Sequence, residues 1–199
     1  MILRKEAPDR SSIMTKRELR RELRSAQKAL SEEYVKSASQ RMEEAFLNSP
    51  LYQNARSIFL YLNTKQEPST RRILKEALKA GKTVAVPKCL ENGEMAAVRY
   101  KEEDPLITTS MGIEEPLKAE DTLLKEEIDL IIVPCLSANQ KGERLGHGGG
   151  YYDRFLHHFR GNTVCFCFEK MVRSKLETEV HDEHVGYLCT EAGIRKCEK

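Results

Sequence analysis

Apolar residues at helical spacing predict two helices in the first fifty residues. Thr15–Glu18 fits a capping box, in which the threonine hydroxyl and the glutamate carboxylate bond the free amides of a helix start. Leu19 and Leu23 then recur on one face, among many basic residues. Ser31, followed by two glutamates, predicts a second cap, which opens a helix that ends at Pro50.

Short apolar runs alternate with helical patterns in the rest of the chain. The predicted strands are residues 57–62, 83–86, 128–133 and 163–168, and the predicted helices are residues 70–80 and 151–159. The alternation predicts an α/β fold: a single domain with a mainly parallel twisted sheet, helices on both faces and an N-terminal helical segment. Residues 1–14 are predicted to be a disordered extension and residues 15–199 the single domain.

Glycine and proline mark the predicted turns. Gly81 is expected to end the helix before it, and Pro87 is expected to end the strand before it. Asn92-Gly93 predicts a hairpin with strands on either side. Two prolines and a glycine between residues 104 and 118 indicate an extended loop.

Ligands of parallel sheets bind beyond the carboxyl ends of the strands. The loops after Leu62, Val86 and Val133 are therefore predicted to share one functional edge.

Composition and charge exclude several classes of protein. The 33 Lys and Arg residues nearly balance the 31 Asp and Glu residues, so binding of nucleic acid by bulk charge is not expected. Nor is a membrane protein expected, because a membrane span requires about 18 consecutive apolar residues and no run approaches that length. Hydrophobic residues make up 40% of the chain, which argues against wholesale disorder.

The six cysteines show neither CxxC nor zinc-finger spacing. They are predicted to be reduced, mostly buried residues of a cytoplasmic protein, with surface disulfides as the alternative. The first fourteen residues lack the apolar core of a secretory signal. Their arginines and serines are compatible with a mitochondrial presequence, whereas their acids count against one.

The most informative segment follows the buried strand 128–133. Arg144 precedes Gly146 and the run Gly148–Gly150, and a helix is predicted to start directly afterwards. Glycines leave backbone N–H groups uncovered, and a helix N-terminus adds partial positive charge, which together suit a phosphate group. The pattern is neither Walker A nor the dinucleotide-binding fingerprint. The alternative is a flexible loop with a glycine-rich cap, which is costly in conformational entropy.

These residues carry a resemblance to a known family. The segment Arg144-Leu-Gly-His-Gly-Gly-Gly-Tyr-Tyr-Asp-Arg154, after a DLIIVP strand, resembles the 5-formyltetrahydrofolate cyclo-ligase (methenyltetrahydrofolate synthetase) family. Three further elements agree in order and spacing: Lys16-Arg17-Glu18-Leu19-Arg20, Ile58–Leu62 followed by Glu67 and Thr70, and His181-Asp182 followed by Val185 and Thr190-Glu191. The match runs from Thr15 to about Glu191.

The resemblance implies an ATP- and Mg²⁺-dependent closure of 5-formyltetrahydrofolate to 5,10-methenyltetrahydrofolate, with release of ADP and phosphate. ATP phosphorylates the formyl oxygen, N10 attacks the activated carbon, and phosphate departs. Such a transfer depends on in-line positioning and neutralised charge rather than on a protein nucleophile. The implied partner is a small-molecule folate, with or without a polyglutamate tail. We expect a monomer that binds neither nucleic acid nor membrane.

The resemblance also assigns the binding residues. The implied ATP-binding residues are Lys16, Arg17, Glu18, Leu19, Arg20, Arg144, Leu145, Gly146, His147, Gly148, Gly149, Gly150, Tyr151 and Tyr152. The implied substrate-binding residues are Arg20, Leu60, Glu67, His147, Gly148, Gly149, Gly150 and Tyr151, with Leu62 as a further contact. Two alternatives stay open. Residues 16–24 also fit a solvated helix face, and Leu60 and Leu62 also fit the buried core of a strand.

The remaining roles concern catalysis and the metal. Arg144, Tyr151 and Tyr152 are the implied catalytic residues, and Asp153 and Asp182 are the implied Mg²⁺ ligands. The Glu67 carboxylate would accept N–H donors from the pterin edge. Simple alternatives exist for several of these: core packing for one of the tyrosines, a favourable helix-dipole contact for Asp153, and a surface loop for Asp182.

Two departures from the family pattern put substrate affinity in doubt. Cys135 stands where the family usually has glycine, and Gly186 stands where an aspartate is common. His181 and His184 invite a metal interpretation, but exposed polar residues are the expected outcome.

Three competing functions remain at this stage. They are a formylfolate-binding protein without turnover, an RNA-binding role for the basic stripe of residues 16–24, and another phosphoryl-ligand enzyme on the same fold.

Overall fold

The computed structural model describes residues 14–110 and 112–198. Within them the helices are α1 (Lys16–Lys28), α2 (Glu32–Leu47), α3 (Pro50–Asn54), α4 (Arg71–Lys79) and α5 (Tyr151–Leu156). The strands are β1 (Ser57–Leu60), β2 (Thr83–Cys89), β3 (Met95–Arg99), β4 (Leu106–Thr108), β5 (Glu114–Pro116), β6 (Thr122–Leu123), β7 (Leu130–Pro134), β8 (Ser137–Ala138), β9 (Arg144–Leu145), β10 (Asn162–Phe166), β11 (Tyr187–Thr190) and β12 (Gly193–Lys196).

Eight of these strands form one sheet, in the order β12-β11-β10-β7-β1-β2-β3-β6. The neighbours from β11 to β2 pair in parallel, and antiparallel strands close both edges. In the central pair, Ile58 of β1 lies opposite Leu130 of β7, and every residue from Leu130 to Val133 is buried. Strands buried on both faces read as continuous apolar runs, as β7 does. The predicted α/β fold with a mainly parallel sheet is confirmed.

Both predicted helix starts are confirmed. Thr15 and Glu18 form the capping box of α1, with Glu18 N donating to Thr15 Oγ1 over 3.3 Å and Thr15 N donating to Glu18 Oε2 over 2.9 Å. Ser31 caps α2 through its side chain. These bonds satisfy amides that the helix itself leaves unpaired, so they fix where each helix begins. Residues 1–13, which carry the predicted disorder and the presequence alternative, lie outside the described part.

Three sequence predictions need correction. β2 continues through Pro87 to Cys89, because β1 pairs only as far as Ala85 and the missing N–H of Pro87 then lies beyond that ladder. The extended loop predicted for residues 104–118 contains the β4–β5 hairpin. Helix α5 ends at Leu156 rather than at residue 159, since His158 takes a left-handed φ of 62° that a helix cannot accommodate.

Helix α2 ends at Leu47, before the predicted end at Pro50. Pro50 instead begins α3, a helix that the sequence pattern did not reveal. The closing strands β11 and β12 were also not predicted. Gly81 follows α4 with a left-handed φ of 70°, which confirms the predicted helix end. None of the described helices combines the length and the apolar character needed to cross a membrane.

The six cysteines are all free thiols, and most are buried. Cys135, Cys165, Cys167 and Cys189 lie in the core, whereas Cys89 is exposed and Cys197 is half-buried. Burial raises the pKa of Cys197 to about 11 and also raises the pKa of Cys89. Because the thiolate is the reactive form, these shifts slow the reaction of both accessible thiols.

This arrangement predicts the outcome of thiol titration with an aromatic disulfide at mildly alkaline pH. The native protein should show a single reactive thiol, which Cys89→Ser removes, and denaturant should expose all six cysteines. Fewer than six thiols in denaturant, under non-reducing conditions, would indicate a disulfide and contradict the structure.

Candidate active site

The carboxyl ends of β1, β2 and β7 share one edge of the sheet, because the three strands are parallel. The predicted common edge is therefore confirmed. Two connections meet above it: the loop of residues 61–70 that follows β1, and residues 146–150 that follow β9, hereafter the glycine loop.

The glycine loop presents backbone donors that have no partner. None of the N–H groups of residues 146–150 donates a hydrogen bond to the described residues. Gly148 and Gly150 take left-handed φ angles of 103° and 68°, which L-residues with a side chain rarely adopt. Unpartnered amides in such a conformation form a concavity that suits an anion. The helix that follows has only six residues, so it contributes less dipole than the sequence pattern suggested.

Helix α1 lies against the glycine loop, and two of its arginines donate hydrogen bonds to the loop. Arg20 Nε donates to the carbonyl of Gly146 over 3.1 Å, and Arg24 Nη2 donates to the carbonyl of His147 over 2.7 Å. The basic stripe is thus more than a solvated helix face at these two positions.

The neighbours of Arg20 on the helix play other parts. Glu18 is occupied in the capping box, Leu19 packs against the core, and Arg17 is exposed without a hydrogen bond or ion pair to the described residues. Lys16 lies near the loop that carries Asp182, with its Nζ 2.5 Å from Asp182 Oδ2 and 3.4 Å from Glu179 Oε2.

An ion pair between a buried arginine and a partly exposed aspartate lies beneath the glycine loop. Arg144 Nη2 lies 2.7 Å from Asp153 Oδ1, and the Arg144 side chain is only 3% exposed. The Nε of Arg144 and the hydroxyl of Tyr152 are buried without a hydrogen-bond partner among the described residues. Burial and the carboxylate of Glu67 raise the pKa of Tyr152, which keeps the hydroxyl protonated as a donor. Unsatisfied polar atoms are costly inside a protein, so two of them at one place point to a ligand.

Glu67 faces the glycine loop from the loop after β1. Its Oε2 accepts a hydrogen bond from Thr64 N over 2.8 Å, and its Oε1 lies 3.8 Å from His147 Nε2. The loop itself is fixed by Tyr61, whose hydroxyl donates to Pro68 O, and by Thr70, whose hydroxyl donates to Tyr61 O. Glu67 also lines a cavity of about 440 Å³ between this loop and α2.

Desolvation lowers the pKa of His147, and Arg24 and Arg20 act in the same direction, whereas Glu67 opposes them. The imidazole is therefore neutral at neutral pH.

Tyr151 and Arg154 lie on the outer side of the same edge. The Arg154 guanidinium carbon lies 5.4 Å from the centroid of the Tyr151 ring. Arg154 also donates to two backbone carbonyls, Gly93 O in the β2–β3 turn and Gly149 O in the glycine loop. Tyr151 lies close enough to Cys89 to act against the rise in the pKa of its thiol, so the end of β2 lies beside the loop.

The two predicted metal ligands come from neighbouring segments, and each is paired with a cation. Asp153 Oδ1 accepts from Arg144 and from Glu183 N, while Oδ2 has no hydrogen bond from the described residues. Partial burial acts to raise the pKa of Asp182, but the hydrogen bonds from Lys16 and from the Glu179 backbone outweigh burial and lower this pKa. The ligand atoms of Glu179, His181 and Asp182 lie within 4.8 Å of one another. His181 and His184 are both exposed, as expected.

The other sequence predictions have structural outcomes of their own. Leu60, Leu62 and Leu145 are buried in the hydrophobic core, as the core-packing alternative expects for the first two. Cys135 is buried too, and its thiol points to the carbonyl of Phe166 rather than to solvent. Gly186 precedes β11, a parallel strand, and so lies at the opposite edge of the sheet from the glycine loop.

That opposite edge also holds a cavity of about 1070 Å³. It lies at the amino ends of β7 and β10, where Asp129 Oδ2 is already bonded to the amides of Arg56 and Ser57. Volume alone does not make it the active site, because the unsatisfied polar atoms are at the glycine loop.

Sequence reasoning assigned no role to Arg24, Cys89 or Arg154. Arg24 could have been found from its position one helical turn beyond Arg20, on the same face of α1. The contacts of Cys89 and Arg154 depend on the β2–β3 hairpin reaching the glycine loop, for which the sequence carries no local signal.

Comparison with known proteins adds independent findings. A model of the 5-formyltetrahydrofolate cyclo-ligase family matches residues 12–191. A 5-formyltetrahydrofolate cyclo-ligase of Mus musculus is 31% identical over 183 residues, covering 85% of this chain and 90% of the relative. A probable 5-formyltetrahydrofolate cyclo-ligase of Schizosaccharomyces pombe is 32% identical over 147 residues, covering 72% of each chain. The solved structure of Aquifex aeolicus 5,10-methenyltetrahydrofolate synthetase superposes with a TM-score of 0.81 at 30% identity, covering 92% of this chain and 93% of that one.

Proposed function

The chain belongs to the 5-formyltetrahydrofolate cyclo-ligase family and is an enzyme of that kind, and from this premise we propose that it closes 5-formyltetrahydrofolate to 5,10-methenyltetrahydrofolate at the expense of ATP. The observation that carries the proposal is the set of unpartnered amides in the glycine loop. Beside them lie the buried Arg144 and the hydroxyl of Tyr152. These donors suit a polyphosphate on one side and a polar reacting group on the other.

The ATP phosphates would lie against the amides of the glycine loop, with Arg20 at one end and Arg144 beneath. Arg144 presents a planar fork of donors, of which Nε is free and one terminal nitrogen holds Asp153. A fixed guanidinium in a site with little water stabilises charge that develops on a transferring phosphoryl group. Lys16 approaches from the start of α1, where it is paired with Asp182.

The proposed reaction has two steps. The formyl oxygen attacks the γ-phosphorus, its new P–O bond replaces the bond to ADP, and ADP departs. N10 then attacks the activated formyl carbon and releases its proton to water, the ring closes, and the C–O bond breaks to release phosphate with the former formyl oxygen. Phosphorylation is needed because an amide-like oxygen is a poor leaving group, and the enzyme contributes by holding the two reactants in line.

The folate would face the loop after β1. The Glu67 carboxylate keeps one oxygen free of backbone bonds, so it can accept N–H donors from the pterin ring. Tyr152 stays protonated and can donate to the formyl oxygen or to the phosphoryl group, whereas Tyr151 stands at the rim. Each of these groups is fixed by the protein before any ligand arrives, which lowers the cost of orienting the substrate.

Asp153 and Asp182 suit a Mg²⁺ ion that is shared with ATP. Mg²⁺ in such sites takes one or two carboxylates and otherwise phosphate oxygens and water. Both side chains are partly exposed, and Asp153 keeps one oxygen free of hydrogen bonds from the described residues. When bound, the ion neutralises charge on the phosphates. Arg144 and Lys16 hold the two carboxylates in place.

The reaction is tested by absorbance at the band of the methenyl product. Protein, 5-formyltetrahydrofolate, ATP and Mg²⁺ should give growth of the band with equimolar ADP, and omission of ATP or addition of a chelator should leave the trace flat. Product formation without ATP would contradict the proposal. The proposal also places this enzyme in the cytoplasm as a monomer with a small-molecule substrate, and the six free cysteines agree with a reducing compartment.

Tyr152→Phe separates function from stability. The hydroxyl is buried without a partner, so its removal should leave the melting temperature unchanged or raise it, while kcat falls by about 10-fold or more because a donor to the reacting group is lost. Thermal unfolding and steady-state kinetics check the two effects on one preparation. A matched control is Tyr61→Phe, which removes a buried hydroxyl that does have an acceptor; that variant should lose stability by about 1 kcal/mol. A drop in the melting temperature of Tyr152→Phe without loss of kcat would contradict the role.

A further inference from the structure

We infer that Arg24 and Arg154 are positioning residues for the nucleotide, each fixing one peptide plane of the glycine loop so that its N–H faces the phosphates; the inference rests on the proposed function. Both side chains donate to loop carbonyls, Arg24 to His147 O over 2.7 Å and Arg154 to Gly149 O over 2.6 Å. Together with the bond from Arg20 to Gly146 O, three of the loop's carbonyls are held by guanidinium groups.

The consequence for the amides follows from the planar trans peptide. In each peptide the C=O of one residue and the N–H of the next point in opposite directions. The three guanidinium groups hold the carbonyls of Gly146, His147 and Gly149. The N–H groups of the residues that follow, His147, Gly148 and Gly150, therefore point away from the arginines. These N–H groups are among the donors without a partner in the described residues. The arginines thus convert a permissive glycine segment into a fixed set of donors, at a place where glycine would otherwise leave the backbone free to turn.

Arg154 adds a second function, because it joins two chain segments. Its Nε and Nη2 donate to Gly93 O over 2.8 Å and 2.6 Å, and the same Nη2 reaches Gly149 O. A Cβ at Gly93 would lie 2.7 Å from Arg154 Nη2, and a Cβ at Gly150 would lie 2.5 Å from Nη1. The guanidinium therefore fills the gap between the β2–β3 turn and the glycine loop. Arginine makes these three bonds from one rigid planar group, whereas the lysine ammonium sits on a flexible stem and lacks the Nε donor.

The two arginines differ in a way that makes the inference specific. Arg24 makes one bond to one carbonyl, so lysine can replace it in part. Arg154 makes three bonds through two nitrogens of one rigid group, so lysine should recover less of the loss there. Two control variants remove one arginine charge without removing a hydrogen bond to the described residues. They are Arg21→Gln on the exposed side of α1 and Arg160→Gln after α5.

The test compares Arg24→Gln, Arg24→Lys, Arg154→Gln and Arg154→Lys with the two controls, using KM for ATP, KM for 5-formyltetrahydrofolate and amide hydrogen exchange with bound ADP. Both glutamine variants should raise KM for ATP about 10-fold or more while KM for the folate changes less than 3-fold. Bound ADP should protect the Gly148 and Gly150 amides of the wild-type enzyme, and this protection should fall at Gly148 in Arg24→Gln and at Gly150 in Arg154→Gln. Arg24→Lys should recover most of the loss and Arg154→Lys should not.

The outcomes separate this inference from the proposed function. If the wild-type enzyme requires ATP but the arginine variants match Arg21→Gln and Arg160→Gln in KM for ATP, the inference is overturned and the function stands. If the variants lower kcat and both KM values change together with the melting temperature, the arginines are merely structural and the inference is again overturned. If the wild-type enzyme turns over without ATP, both fall.

Discussion

Arg144→Gln is expected to lower kcat/KM by about 10²- to 10³-fold, the range seen when one fixed donor to developing charge is removed. The side chain is 3% exposed and holds Asp153 through a 2.7 Å contact. Its Nε has no partner in the described residues and is available to a ligand. The variant should also lose ~2 kcal/mol of unfolding free energy, because the carboxylate of Asp153 is left with only the Glu183 amide. Steady-state kinetics and denaturant unfolding measure the two effects.

The controls for this variant distinguish charge from geometry. Arg144→Lys keeps the charge but loses the planar fork, so it should recover stability more than activity. Arg99→Gln removes an arginine whose partner, Asp121, is 3.3 Å away and largely exposed, so it should change stability by less than about 1 kcal/mol and leave the kinetics unchanged. A folded Arg144→Gln enzyme within 3-fold of wild type would contradict the proposed role.

Glu67→Gln is expected to raise KM for 5-formyltetrahydrofolate by about 10²-fold, since hydrogen bonds to a charged acceptor contribute about 1.5–3 kcal/mol each. The amide oxygen can still accept from Thr64 N, so the loop should keep its shape and the melting temperature should stay within about 2 °C of wild type. KM for ATP should not change, because the proposed site of the phosphates is the glycine loop. Substrate-dependence curves for both substrates give the comparison.

Glu43→Gln is the matched control for Glu67→Gln. Glu43 holds the same loop from α2, accepting from Ser69 Oγ over 2.9 Å and from Arg72 N over 3.0 Å, and burial raises its pKa. Because the carboxylate is partly desolvated, the neutral amide should be tolerated at neutral pH and both KM values should remain unchanged. If Glu43→Gln weakened folate binding as much as Glu67→Gln does, the effect would belong to the loop rather than to the Glu67 carboxylate.

The sequence predicted those parts of the fold that depend on local chemistry. The capping box at Thr15, the cap at Ser31 and the apolar run of β7 each follow from side chains that act within a few residues. The β4–β5 hairpin and the closing strands were missed because their pairing is set by tertiary neighbours rather than by a strong periodic pattern. The length of α5 was missed because one residue, His158, adopts a conformation that its type rarely takes.

The candidate site also has a part that the sequence predicted and a part that only the folded chain reveals. The phosphate-binding glycine loop was predicted from its motif, whereas the parts played by Arg20 and Glu67 were predicted from the resemblance to the family. Arg154 was not, because its bond to Gly93 joins segments 61 residues apart. The pairing of Lys16 with Asp182 also joins two predicted ligands across 166 residues, and only the folded chain brings them together.

The central claim is that ATP activates the formyl oxygen at this edge of the sheet, and an isotope measurement tests it most directly. The enzyme is given 5-formyltetrahydrofolate labelled with ¹⁸O in the formyl group, with ATP and Mg²⁺ under single-turnover conditions, and the released phosphate is analysed by mass spectrometry. The account predicts one ¹⁸O atom in each phosphate and none in the solvent, because the formyl oxygen leaves bonded to phosphorus. Phosphate free of ¹⁸O, formed alongside the methenyl product, would contradict it.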